Sequence, residues 1–294
     1  MYAKLTDEYK KNGVPAVRIE ECGNFSVYKT FDCGQAFRFD PEGDDNRFSG
    51  IAFGKKVTFT GLGGGVVEIE NSTAEEYENL WRRYLSLDED YDLADRTIIE
   101  AMQSERDRAE MSAAVKSGQG IRILRQDPFE TLISFIISQN NNIPRIKKII
   151  AALCEKYGEN GAFPTADALI EAGEEGIFAL KTGFRAGYIY DAACKVKSGE
   201  VDFKEIFDCK DYDKCTEMLC RIKGVGPKVS SCVLLFGFNK TEAFPIDVWI
   251  KKSLALHFPD GFDPKPLGKY AGIAQQYMFY HERWINSEFE KTTK

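Results

Sequence analysis

The chain has 294 residues, 43% of them hydrophobic and 29% charged, with a formal net charge of −7. That length buries enough surface for two packed subdomains. With no apolar leader at Met1–Glu8 and no run approaching the about 18 apolar residues of a membrane span, the expectation is a soluble intracellular protein, in the cytoplasm or nucleoid of a bacterium or the nucleus of a eukaryote.

Eight cysteines in such a chain are expected as free thiols rather than a disulfide framework. The acidic balance argues against a broad polyanion-binding surface, because affinity for nucleic acid comes mostly from neutralised phosphates. The charge is unevenly spread, however. Residues 1–100 hold 12 Lys/Arg against 20 Asp/Glu, whereas residues 219–252 hold six against two. Any phosphate-binding footprint is therefore small and local, and spacing alone leaves a solvated helix face as an equal explanation.

From Ala16 to Glu70 the pattern is strand-like: Phe25–Tyr28, Phe37–Phe39, Val57–Thr60 and Val66–Glu70, separated by Gly, Asp and Pro clusters. This spacing predicts an antiparallel sheet. The run Gly61–Gly65 lies between two strands and precedes neither a helix nor Gly-Lys-Ser/Thr, so it reads as a hairpin turn and not a phosphate loop. Thr73-Ala74-Glu75-Glu76 is a capping box that opens the first helix. Helical periodicity dominates thereafter. The predicted fold class is α+β: an N-terminal antiparallel β-sheet subdomain over residues 1–115, then a mainly α-helical domain over 116–294, with no repeat or low-complexity linker.

Asp127 is expected to cap a helix with Pro128 at its first position and Glu130 completing a capping box, its apolar face being Phe129, Leu132, Ile133, Ile136 and Ile137. It ends at Gln139-Asn140-Asn141-Asn142, which could be turn chemistry alone, before Pro144 restarts a helix lined by Ile146, Ile149, Ile150 and Leu153. Gly183 stops another helix and leaves Phe184 and Arg185 in a turn read as exposed. A final helix from about Pro266 to Trp284 sets Gln275 and Phe279 four apart on one face.

The densest signal is Leu219-Cys220-Arg221-Ile222-Lys223-Gly224-Val225-Gly226-Pro227-Lys228-Val229, with Pro245-Ile246-Asp247-Val248-Trp249 downstream. It predicts two helices joined by a tight hairpin, with Gly224 and Gly226 supplying left-handed backbone and Pro227 at the first position of the second helix. Amides at that helix start, with Lys223 and Lys228 beside them, suit a phosphate. At Lys228 the helix dipole and desolvation both disfavour an ammonium, the condition under which lysine becomes a nucleophile. Asp247 reads as the N-cap of the next helix. It stands one loop and one helix beyond Lys228, so the two can meet across a cleft.

Gly-Val-Gly-Pro-Lys at 224–228 with Pro-Ile-Asp-Val at 245–248 resembles the helix-hairpin-helix signature of the HhH-GPD base-excision DNA glycosylase superfamily. Gly34-Gln35-Ala36-Phe37-Arg38, Gln126-Asp127-Pro128-Phe129-Glu130, Ser134-Phe135-Ile136 and Asn140-Asn141-Asn142-Ile143-Pro144-Arg145 narrow the resemblance to the 8-oxoguanine DNA glycosylase/AP lyase branch. The match runs in order from about residue 30 to 280.

The resemblance implies double-stranded DNA containing 8-oxoguanine as partner, no membrane, and a monomer. It implies Lys228 as the nucleophile that expels the base and forms a Schiff base, and Asp247 as the carboxylate that assists it. For base recognition it implies the Gly34 carbonyl on N7–H of the lesion, Gln275 on the Watson–Crick edge, and Phe279 and Cys232 as the two walls of the pocket. Asn140, Arg145 and Arg185 would contact the orphaned cytosine, Phe184 would be the DNA wedge, and Lys223, Gly224 and Gly226 would meet the backbone. Two positions depart from the pattern: Phe184 stands where many relatives have tyrosine, and Trp249 where a histidine usually contacts phosphate. Opposite-base stringency and that phosphate contact are open on these grounds.

No cysteine follows Cys232, so an iron–sulfur cluster is not expected, and His257 and His281 alone do not make a zinc site. No metal or cofactor is expected, apart from a structural K⁺ or Na⁺ on hairpin carbonyls as in relatives. The alternatives are a related glycosylase for another damaged base, or a non-catalytic helix-hairpin-helix DNA-binding protein. The second explains the hairpin but leaves Asp247 and the Asn140 junction without a purpose.

Overall fold

The structure, a computed structural model, describes residues 3–292, with the side chains of residues 45 and 284–292 outside the description. Six strands, β1 (Lys4–Lys11), β2 (Val14–Glu20), β3 (Phe39–Glu42), β4 (Asp44–Ala52), β5 (Lys55–Gly63) and β6 (Val66–Glu70), form one antiparallel sheet in the order β1-β2-β6-β5-β4-β3. Asn12 and Gly13 both adopt left-handed backbone between β1 and β2, the geometry that matches a two-residue turn to strand twist. The glycine run closes β5 onto β6 as a hairpin, pairing Phe59 with Ile69.

Phe25–Tyr28 is not a strand. Ser26 accepts the Lys29 N–H at 3.2 Å and starts a short helix, α1 (Val27–Asp32), whose Val27 and Phe31 face the sheet. Phe37 and Arg38 likewise precede β3 and belong to the turn that carries Gly34. Behind the sheet Phe31, Phe39, Phe48 and Phe59 pack with Trp81 and Tyr84 into one buried aromatic cluster. Thr73 and Glu76 form the expected reciprocal cap ahead of the helical stretch at 74–84.

The remainder is helical: α2 (Tyr91–Glu100), α3 (Glu105–Gly118), α4 (Pro128–Ser138), α5 (Ile143–Tyr157), α6 (Ala166–Ile177), α7 (Arg185–Ser198), α8 (Phe203–Asp208), α9 (Tyr212–Cys220), α10 (Pro227–Phe238), α11 (Val248–His257) and α12 (Ala271–Thr292). α4 runs through the middle, with Leu132, Ile133, Ile136 and Ile137 at or near zero exposure and Phe135 stacked on Phe236 of α10. A Cβ at Gly118 would lie 2.4 Å from the Tyr277 ring; glycine there lets α12 lie against α3. No helix among the described residues is long and apolar enough to cross a membrane.

The two cores interlock. Cys33 and Phe37, ahead of β3, pack into the helical core, whereas Leu124 packs into the sheet core. The helices α2 and α3 also contribute to the helical core, and a division at residues 115/116 stays a proposal. Asp127 caps α4 through the Glu130 N–H at 2.9 Å, but the Glu130 carboxylate does not return to close a capping box. It pairs instead with Arg38 at 3.1 Å, tying the Gly34 turn to α4.

Candidate active site

Between the two parts lies a cleft of about 890 Å³ whose wall includes Gly34, Asn140, Gly226, Lys228, Cys232, Asp247, Gln275 and Phe279. These come from five separate places in the chain. Lys228 sits in the first turn of α10, half-buried, with Nζ 5.3 Å from the centre of the Phe135 ring. Asp247 caps α11 through Oδ1, which accepts the Ile250 N–H at 2.8 Å. The cap uses one carboxylate oxygen and leaves the other available for chemistry.

Cys232, one turn beyond Lys228 on α10, is buried at the floor. Burial pushes its thiol up to about 11, opposed by Lys228 and reinforced by the Asp247 carboxylate. It therefore stays a neutral, polarizable wall at pH 7 and not a competing nucleophile. All eight cysteines are free.

Gly34 has φ +79, and a Cβ there would lie 3.7 Å from the Phe279 ring and 3.7 Å from Ile143. The glycine backbone thus borders the same space as the Phe279 ring. Its neighbour Gln35 fixes the turn: Nε2 donates to the carbonyls of Thr30 and Arg122 at 2.9 and 2.8 Å, and Oε1 accepts the Leu124 N–H at 2.9 Å. Gln276 adds a bond to the Cys33 carbonyl at 3.1 Å. Gln275, on the cleft side of α12, is only 4% exposed, yet its Oε1 has no hydrogen-bond partner. An unsatisfied buried amide oxygen costs about 1–3 kcal/mol, a cost that a ligand N–H would remove.

The residues expected to contact the opposite base, Asn140, Arg145 and Arg185, lie with Phe184 around one turn region. Asn140 is exposed in left-handed backbone, and Asn142 caps α5 by accepting the Arg145 N–H at 3.0 Å. The Arg145 side chain is exposed, its Nη2 3.5 Å from the Lys181 carbonyl. Phe184 projects 55% exposed just before α7. Arg185, expected in an exposed turn, is instead 3% exposed. Its guanidinium donates to the carbonyls of Gln139, Asn140 and Thr182 and lies 4.4 Å from the centre of the Phe184 ring. Four of its five N–H groups are engaged in welding the Asn140 turn to the Phe184 turn, which leaves one for a base.

In the hairpin only Gly224 needs left-handed backbone, at φ +78; Gly226 is extended at φ −112 and is the N-cap of α10. A Cβ at Gly224 would fall 2.1 Å from the Tyr188 ring, whereas one at Gly226 would meet nothing within 4 Å. Gly226 thus keeps a surface open for close approach, and Lys223 stands exposed beside it. Gly224→Ala is expected to destabilise the fold by roughly 2–4 kcal/mol from the combined left-handed strain and overpacking. Gly226→Ala should unfold in urea like wild type but bind duplex more weakly. Equal midpoints for the two variants would contradict this division of labour.

Sequence reasoning gave no role to Phe135, Gln35 or Tyr188. Their importance lies in what they touch across long sequence separations; Gln35 and Phe135 stood inside quoted motifs without a role, and Tyr188 stood in none. Trp249, at the mouth of the cleft, is partly exposed with Lys252 Nζ 5.7 Å from the centre of its ring. Among the described residues no group of three or more His, Cys, Asp or Glu could hold a metal ion.

Comparison with known proteins finds relatives for both parts of the chain. Residues 18–132 match the family model of the 8-oxoguanine DNA glycosylase N-terminal domain, and residues 133–266 that of the HhH-GPD superfamily base excision DNA repair protein. The chain is 32% identical to a protein of Methanothermobacter thermautotrophicus described as a probable N-glycosylase/DNA lyase, over 59% of this chain and 67% of that one. With the N-glycosylase/DNA lyase of Saccharomyces cerevisiae it shares 39% identity over 46% of this chain, but the match spans only 41% of the yeast protein. The Clostridium acetobutylicum 8-oxoguanine glycosylase/lyase, solved with double-stranded DNA containing cytosine opposite 8-oxoguanine, superposes with a TM-score of 0.83 at 38% identity, covering 96% of this chain and 99% of that one. A 3-methyladenine DNA glycosylase from Archaeoglobus fulgidus, 17% identical at a TM-score of 0.66, shares the fold. The chain belongs to the 8-oxoguanine DNA glycosylase branch of the HhH-GPD superfamily of base excision DNA repair proteins.

Proposed function

We propose that the protein is a bifunctional DNA glycosylase/AP lyase that excises 8-oxoguanine from duplex DNA and then cuts the strand by β-elimination. The observation that carries this reading is the unpaired Gln275 Oε1, buried in the same cleft that holds Lys228 and Asp247. It supplies a hydrogen-bond acceptor for a base edge where an amine and a carboxylate are both at hand. A non-catalytic DNA-binding protein would have no use for that combination.

The lesion nucleotide must leave the stack to reach the cleft. Phe279 and Cys232 then wall the base, Gln275 reads its Watson–Crick edge, and Gly34 offers its carbonyl to N7–H. Neutral Lys228 Nζ attacks C1′; the bond from C1′ to the base breaks and its electron pair leaves with the purine. Asp247 stabilises the positive charge that develops on the sugar and takes part in removing the proton from the amine. Opening of the sugar ring gives the imine between Nζ and C1′, which acidifies the C2′ proton; its removal expels the 3′ phosphate. Hydrolysis of the imine frees the lysine. Hairpin amides at the start of α10 hold the backbone phosphate, and an alkali ion on hairpin carbonyls stays part of the proposal.

Guanine differs from the lesion at N7, where it presents a lone pair in place of a proton. Against the Gly34 carbonyl, that lone pair is unpaired and repelled. Gly34→Ala keeps the carbonyl but forces a methyl group into left-handed backbone beside Phe279. Excision of 8-oxoguanine by this variant is expected to fall about tenfold or more, as from a misplaced recognition group, with duplex affinity at low salt near wild type. An unchanged excision rate would leave lesion reading to Gln275, Phe279 and Cys232.

The reading is tested by incubating the protein with a duplex bearing one 8-oxoguanine opposite cytosine and following free base and strand scission separately. Release of base with a β-elimination product is expected. Binding without either product would favour the non-catalytic alternative, and activity only on another damaged base would favour the related glycosylase.

A further inference from the structure

Beyond this reading, one face of α7 joins two parts of the DNA-binding surface that the sequence treats as separate. Tyr188, Asp191 and Lys195 recur at the spacing that stacks side chains along a helix. All three meet the hairpin. The Tyr188 ring fills the notch over Gly224, where a Cβ would fall 2.1 Å from it. Asp191 Oδ2 accepts the Lys223 N–H at 2.7 Å, and Lys195 Nζ donates to the Arg221 carbonyl at 2.6 Å. At the other end, the edge-to-face contact between Tyr188 and Phe184 has ring centres 5.7 Å apart and planes at 72°. The exposed Phe184 ring therefore rests on a side chain that itself rests on the hairpin.

We propose that Tyr188 is a positioning residue that couples the Phe184 wedge to the hairpin, so that grip on the backbone phosphate and insertion into the base stack act as one rigid unit. The inference rests on Phe184 being the wedge. Its physical content is transmission: a hairpin seated on phosphate fixes Gly224, Gly224 fixes the Tyr188 ring, and that ring denies Phe184 the rotations in which it would not enter the stack. Arg185, with its guanidinium 4.4 Å from the centre of the Phe184 ring and its N–H groups on the Asn140 turn, completes the clamp. Glycine is required at 224 as much for this seat as for the turn.

The test is a double-mutant cycle on Phe184→Ala and Tyr188→Ala. Single-turnover excision is measured on a duplex with 8-oxoguanine opposite cytosine, alongside cleavage at a preformed abasic site, where the stack is already interrupted. A 2-aminopurine beside the lesion reports opening of the stack. Each single variant is expected to slow excision and the fluorescence rise about tenfold, the rate equivalent of losing one well-packed aromatic pair. The double variant should be no slower than the slower single one, Tyr188→Phe should behave as wild type, and abasic-site cleavage should change little throughout. Tyr188→Leu, which fills the notch without an aromatic edge, takes the place of Tyr188→Ala if thermal unfolding shows that the alanine variant is not folded. Wild-type excision by the Tyr188 variant beside a slow Phe184→Ala would overturn the coupling and leave the wedge reading standing. So would multiplicative losses in the double variant, or equal losses on the abasic site. Wild-type excision by Phe184→Ala would remove the wedge reading, and the coupling with it.

Discussion

Lys228→Gln is expected to lose base release and strand scission together, by on the order of 10³-fold or more, while binding the lesion duplex within a few fold of wild type. Glutamine keeps the length and polarity of the side chain in the first turn of α10 but has no amine to form an imine. The helix does not depend on the amine: α10 is held by Val229, Val233, Leu234 and Phe236 in the core and by the Ser230 hydroxyl on the Pro227 carbonyl at 3.0 Å. What is lost locally is the approach of Lys228 Nζ to the Phe135 ring. Single-turnover kinetics and binding on one duplex separate the two effects. Retained base release with lost strand scission would mean that water, and not Lys228, displaces the base.

Asp247→Asn isolates a different contribution. Asparagine caps a helix as well as aspartate does, so the bond to the Ile250 N–H, and with it the start of α11, should persist. The carboxylate charge is removed. Turnover is expected to fall by on the order of 10²-fold or more, the scale of losing one electrostatic contact made in the transition state, with duplex affinity nearly unchanged. Asp247→Ala should lose the same turnover and, in addition, about 1 kcal/mol of stability from the missing cap. A melting temperature below that of the asparagine variant measures the second job. Wild-type turnover in Asp247→Asn would reduce the residue to a cap.

How far the sequence carries is visible in particular residues. Caps and helix starts were legible because they are local: Asp127, Asp247 and Pro227 stand where their chemistry puts them. The cleft was legible because its motifs are short and ordered. Failures came where tertiary contacts decide. Phe25–Tyr28 is too short for alternation to be told from a helical period, and Ser26 settled it as a cap. The edge strand β1 shows no apolar alternation in Lys-Leu-Thr-Asp-Glu-Tyr-Lys-Lys, yet the Asn12-Gly13 turn signal was present and unused. Arg185 looked like a turn residue because nothing in its neighbours reveals that the carbonyls of Gln139 and Asn140 lie within its reach. Glu130 looked like half of a capping box because Arg38, its actual partner, is far away in sequence.

The central claim is that Lys228 Nζ becomes covalently joined to the sugar of the lesion nucleotide. Borohydride added during turnover on an 8-oxoguanine duplex reduces the imine and fixes it, and peptide mapping of the adduct then identifies the amine. The account predicts one protein–DNA cross-link, carried by the peptide containing Lys228 and missing in Lys228→Gln. An adduct at another lysine, or undiminished trapping in Lys228→Gln, would contradict it.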